Sequence, residues 1–146
     1  MSINKRRIVA VGVLVAQALW GGPAGAAGAI AVGVAQGGAQ HGFSFGMNSD
    51  RVSEADARQD ALNGCRKSKE SNDKARARCA AAGTFTNQCG SIAMDPKDGT
   101  PGVGWAIAPD SAAAERQALA SCEATAGPGR AGFCKVSATR CDGTAK

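Results

Sequence analysis

Six cysteines and a single histidine are the residues of this 146-residue chain best equipped for chemistry. Cys65, Cys79, Cys89, Cys122, Cys134 and Cys141 could supply a thiol nucleophile, a metal site or a disulfide framework. A nucleophile needs one unpaired thiol beside a base, which an even set disfavours. Zinc sites usually place ligands two to four residues apart. The cysteine intervals here are far longer and His41 stands alone, so neither a metal nor another cofactor is expected. A disulfide framework fits the even count if the chain reaches an oxidising compartment.

His41 is the one side chain that could act as a general base near neutral pH without a perturbed pKa. It sits in Gly37-Gly38-Ala39-Gln40-His41-Gly42, just before an expected strand. Asp95 and Asp98 form a carboxylate pair of the kind hydrolases use, but Asp95-Pro96-Lys97-Asp98-Gly99 reads more simply as a turn. No catalytic residue is assigned on this inventory. The chain reads as a binding protein before it reads as an enzyme. The alternatives are a small exported hydrolase using His41 with nearby carboxylates, and a purely structural envelope component.

The N-terminus carries a signal of its own. Lys5, Arg6 and Arg7 precede an uncharged apolar run from Ile8 to Trp20, and small residues follow at Pro23-Ala24-Gly25-Ala26-Ala27. That is the secretory order, and Ala24-Gly25-Ala26 fits the cleavage rule. The run is well short of the ~20 residues a membrane helix needs. Residues 1–26 are therefore read as a signal peptide and 27–146 as one disulfide-rich domain. No stable membrane insertion is expected after signal removal, and the destination is the periplasm or the medium.

Export changes the charge argument. The whole chain is +5, but fourteen basic against twelve acidic residues remain once Lys5, Arg6 and Arg7 are set aside. A nucleic-acid footprint does not survive that near-balance. What survives is local: residues 66–78, RKSKESNDKARAR, hold six basic and two acidic residues. Mixed runs of this kind are commonly solvated loops or helix ends. The functional reading makes Arg66, Lys67, Lys69, Lys74, Arg76 and Arg78 a surface for an acidic protein face or an anionic envelope polymer.

Elements must hold these groups in place, and the chain builds them twice. SEADARQDALNGC at 53–65 returns as DSAAAERQALASC at 110–122. Ala55, Ala57, Ala61, Leu62 and Cys65 match Ala112, Ala114, Ala118, Leu119 and Cys122, within roughly 160° of a helix circumference. Identity on one face with drift on the other predicts a shared buried surface, and Ser53 and Asp110 are placed to cap the two helices. Upstream, Gly28-Ala29-Ile30-Ala31-Val32 matches Gly90-Ser91-Ile92-Ala93-Met94, a buried strand. Phe43-Ser44-Phe45-Gly46-Met47 is aligned with Val103-Gly104-Trp105-Ala106-Ile107, a second strand with an aromatic in register. Cys79 to Phe85 matches Cys134 to Arg140, a third strand.

Each unit, about 28–89 and 90–146, thus reads β-β-α-β. The offset falls through 62, 60, 57, 55 and 52 residues along the chain, so the length differences lie in connections. The expected fold is α+β: one mixed or mainly antiparallel sheet of about six strands, both helices packed on one face, stapled by disulfides. Phe43, Phe45 and Trp105 are core residues on this reading, or aromatic contacts if a groove exists.

The ordered set GAIAVG, an aromatic strand, S-x-A-x-A-x-x-x-A-L-x-x-C and C…F-T-N-Q-C-G-S-I-A resembles the bacterial domain of unknown function 4189 family. The likeness runs from about Gly28 to Asp142, including the GWAIA strand, the ALASC helix end and the closing TRCDG. It implies an exported bacterial protein and brings no reaction or catalytic residues. It also implies a shorter connection than the basic segment 66–78 of this chain. Six cysteines allow fifteen pairings. The internal repeat favours the symmetric one: Cys65–Cys79 and Cys122–Cys134 within the units, and Cys89–Cys141 joining the unit ends.

Overall fold

In the computed structural model, residues 26–146 are described; residues 1–25, and with them the signal-peptide reading, lie outside the described residues. The first unit runs β1 (Ala27–Val34), β2 (Phe43–Arg51), α1 (Glu54–Lys67), the short α2 (Asp73–Arg76) and β3 (Ala80–Phe85). The second runs β4 (Cys89–Met94), β5 (Val103–Ala108), α3 (Ser111–Ala126) and β6 (Lys135–Cys141). Each long helix starts at a side-chain cap. Ser53 Oγ accepts from Asp56 N at 3.1 Å, and Asp110 Oδ1 accepts from Ala113 N at 2.7 Å.

The class is α+β and every strand pairing is antiparallel. The strands form two sheets of three, ordered β2-β1-β3 and β5-β4-β6, where one six-stranded sheet was expected. The helices accordingly lie on opposite sides of the molecule: α1 packs on the first sheet and α3 on the second. The reason lies in the central strands, which bury both faces. Ala29 and Ala31 of β1 meet Ala57, Ala61 and Cys65 of α1, whereas Ile30 turns the other way to meet Ile92 and Phe85 between the sheets. Val32, Phe43, Phe45, Met47 and Ile107 close around that inner core. Burying each large side chain there contributes on the order of 1.5–3 kcal/mol.

Glycine decides the spacing of these layers. A Cβ on Gly28 would lie 2.2 Å from the Phe85 ring, and one on Gly90 2.9 Å from it. The repeated Gly-x-Ile-Ala phrase therefore makes room for one aromatic with its glycine, fills the inner core with isoleucine, and faces a helix with alanine. On the helix side a Cβ on Gly46 would lie 2.1 Å from Ala61 O, and one on Gly104 2.4 Å from Ala118 O. The helices rest directly on strand backbone, so the contact is a narrow seam. Ala57, Ala61 and Cys65 are buried, as are Ala114, Ala118, Cys122 and Ala126. Ala55 and Ala112, expected on the buried face, are exposed.

Strand register corrects one alignment. Ala31 pairs with Gly46 and Ala93 with Gly104, so Gly46 is the counterpart of Gly104. Trp105, opposite Ile92, takes the place of Met47, opposite Ile30. The aromatics of β2 and β5 are thus two positions out of register. Phe43 and Phe45 pack against each other with ring centroids 6.1 Å apart, while Trp105 is 36% exposed. The repeat also reproduces a bulge, which leaves Ala82 of β3 and Ser137 of β6 without strand partners.

The disulfides are Cys65–Cys79, Cys122–Cys134 and Cys89–Cys141. The first two tie each long helix to the strand that follows it. Cys89 begins β4 and pairs directly with Cys141 of β6, with Cα atoms 4.0 Å apart. That bridge is therefore a clasp across one sheet and not a link between unit ends.

Candidate functional site

The basic segment lies where α1 ends, and the Cys65–Cys79 disulfide fixes both its ends. Arg66 and Lys67 form the last turn of α1, where positive charge also suits the helix dipole. Lys69 lies in the turn beyond, held by Ser71 Oγ, which donates to Phe43 O at 2.8 Å. Asn72 caps α2 by accepting from Ala75 N at 3.0 Å, and its amide nitrogen donates to His41 O at 2.8 Å. Gly42 sits beside this cap at φ 144°, where a Cβ would strike Asn72 Oδ1. The first unit's β1–β2 connection and the basic segment are thus welded together.

Arg76 is drawn inward. It donates to Ser68 O at 2.8 Å and pairs with Asp73, so it is not available as a free cation. Arg66, Lys67, Lys69, Lys74 and Arg78 are exposed. None has a carboxylate within ion-pairing distance among the described residues. Lys74 and Arg78 come together with Gln36 and Ala77 around an open groove of about 490 Å³. An anion there would meet two cations and a primary amide.

A second cleft, of about 320 Å³, is shared by the two units. The first unit contributes Gln40, His41, Phe43 and Glu70; the β4–β5 connection of the second contributes Lys97, Asp98 and Thr100. His41 ends a short 3-10 turn, Ala39–His41, and is exposed. The cleft therefore brings His41 near two carboxylates, Glu70 and Asp98.

Asp95 also lines this cleft but is fully committed. Its side chain has no exposure and forms two bonds with Arg130, at 2.8 Å to Nε and 2.6 Å to Nη2. The guanidinium holds its carboxyl down at about 2, against burial, which opposes the shift; Lys97 N, donating at 3.0 Å, helps. Arg130 rises in turn for the same reason and stacks 4.1 Å from the Phe133 ring centre. This carboxylate anchors the loop before β6 and is unsuited to proton transfer near neutral pH. Neither Arg130 nor its partnership with Asp95 was expected: 35 residues separate them and no local pattern joins them.

Gly42-Phe43-Ser44-Phe45-Gly46 has the spacing of a hydrolase nucleophile elbow. Its context removes the resemblance. Phe43 to Gly46 lie in β2 and not at a strand-to-helix turn, and Ser44 is fully buried. Its Oγ donates to Cys65 O at 2.6 Å, binding strand to helix. Among the described residues no group of three or more His, Cys, Asp or Glu side chains is arranged to hold a metal ion. No described helix is long and apolar enough to cross a membrane.

The family whose model matches residues 27–141 is described as a domain of unknown function, DUF4189. No curated protein and no solved structure matches the chain.

Proposed function

Since the chain belongs to the DUF4189 family, whose name carries no reaction, we propose on physical grounds that it is an exported scaffold that binds an acidic macromolecular partner in the cell envelope or outside the cell. One observation carries the reading. Arg66, Lys67, Lys69, Lys74 and Arg78 are exposed and unpaired with carboxylates among the described residues, on a segment closed by the Cys65–Cys79 disulfide. A cluster of unbalanced cations repels itself in the free protein, and an anionic partner relieves that repulsion. Fixing the segment beforehand reduces the ordering entropy lost on binding. The three disulfides suit an oxidising compartment.

The test is titration of the oxidised protein with poly-L-glutamate. Binding should weaken as salt rises from about 50 to about 500 mM, because exposed charges are screened over that range. The double variant Lys74→Glu/Arg78→Glu should lose binding while melting like the parent, since both side chains are exposed. Undiminished binding by that variant, or salt-independent binding, refutes the reading.

The shared cleft favours a second reading, a small exported hydrolase in which His41 acts with Glu70 or Asp98. On that reading His41→Ala abolishes hydrolysis, whereas Lys74→Glu/Arg78→Glu leaves it intact.

A further inference from the structure

We infer that β3 is a docking strand for an extended peptide of a protein partner, acidic toward its C-terminal end. The inference rests on the proposed binding function and narrows the acidic partner to a polypeptide. Its basis is a difference between the two sides of the sandwich. Each three-stranded sheet has two edges. On one side, β2 and β6 lie beside each other, lining a shared groove through Phe45, Met47, Ala138 and Arg140. Those edges are charged: β2 ends in Asp50 and Arg51, and β6 carries Lys135 and Arg140. On the other side, β3 lies against β5, where a Cβ on Gly83 would come within 2.7 Å of Ile107 Cδ1. These strands, AAAGTF and VGWAIA, contain no charged residue.

Edge strands in soluble proteins are commonly blunted by charge, because their unpaired backbone groups invite another strand. The bulge at Ala82 has a twin at Ser137 in β6, so the bulge does not distinguish the two sides. Charge does. The open side also exposes Ala80, Ala81 and Ala82 of β3, and Trp105 of β5 is 36% exposed. Small side chains there let an incoming backbone approach closely, as strand addition requires.

Orientation and charge select the occupant. All pairings in both sheets are antiparallel, and a strand added in the same sense places its C-terminal end beside Ala80. Arg78 and Lys74, with Gln36, stand at that end. Acidic residues or a terminal carboxylate on the peptide meet them there. A second copy of the chain does not fit as well, because residues 80–88, AAAGTFTNQ, contain no carboxylate to face Arg78.

The experiment is hydrogen exchange on the oxidised protein with two eight-residue peptides, VTVTVDED and its reverse DEDVTVTV. With the first at about a hundred times its Kd, the outward-pointing amides of Ala80–Phe85 should exchange about a hundredfold more slowly. The reversed peptide should bind about three- to tenfold more weakly, since its charges lie at the wrong end. Binding of both peptides without protection of β3 overturns the docking strand but leaves the acidic-partner reading standing. So does binding of poly-L-glutamate when neither peptide binds. Protection of β3 that appears without peptide and grows with protein concentration identifies a second copy as the occupant and overturns the peptide. Failure of poly-L-glutamate and both peptides overturns the two readings together.

Discussion

Removing the Cys89–Cys141 disulfide should destabilise the protein more than removing either of the others, and loop closure sets by how much. The bridged residues are separated by 52 positions, against 14 for Cys65–Cys79 and 12 for Cys122–Cys134. In the chain-entropy model these loops correspond to about 4, about 3 and about 3 kcal/mol of restriction on the unfolded state. Cys89, Cys65 and Cys122 are all fully buried, so the burial lost on changing each pair to alanine is similar and largely cancels in the comparison. What remains is a difference of about 1 kcal/mol. A domain of about 120 residues unfolds with an entropy near 0.25 kcal/mol/K, so 1 kcal/mol shifts Tm by about 4 °C. Cys89→Ala/Cys141→Ala should lower Tm by about 16 °C, and each other double variant by about 12 °C. Calorimetric melts of the three double variants check the order. If the Cys89–Cys141 variant melts at or above the other two, loop entropy does not set the ranking and native-state contacts do.

Other expectations follow from packing and charge. Ala118→Leu should overpack the α3 seam over Gly104 by about 1–3 kcal/mol, whereas the exposed Ala112→Leu should be nearly neutral; equal melts for the two would refute close helix–strand approach. Gly104→Ala should be similarly destabilising, because its Cβ would lie 2.3 Å from Cys122 N. The Asp95 carboxyl ionises near 2 when folded against 3.8 in its ordinary state. A depressed pKa stabilises the fold fully above the ordinary value and ceases to do so as pH falls through the folded one. Stability should therefore decline between about pH 4 and pH 2, and Asp95→Asn should flatten that limb of a pH–denaturation series; an unchanged limb would remove Asp95 as its source.

Local pattern carried much of the fold. Ser53 and Asp110 announce their helices because capping is satisfied within three residues. The i, i+4 spacing of Ala57, Ala61 and Cys65 marks one helix face by geometry alone. The repeat tied each helix cysteine to the next strand, since equivalent positions in equivalent units meet equivalent neighbours. Layer arrangement was less legible. A strand such as GAIAV is apolar on both faces, and sequence does not say whether its second face meets another helix or another sheet. The packing of Phe85 over both Gly28 and Gly90 answers that, across the boundary between the units.

The candidate site divides in the same way. The charge of residues 66–78 was plain in composition, but the withdrawal of Arg76 to Ser68 O and Asp73 depends on how the turn folds. Ser44 shows the opposite case: a catalytic spacing that the strand buries and hands to Cys65 O.

By itself the sequence determined the cysteine set, the doubled β-β-α-β unit, the capped alanine-faced helices and the local excess of positive charge, all consequences of residue type and short-range periodicity. Only tertiary structure decided that two sheets face each other and that Asp95 is held by Arg130. It also decided that the uncharged strands β3 and β5 share one side of the molecule. Those outcomes turn on which distant surfaces desolvate one another, and no short stretch of chain encodes that choice alone.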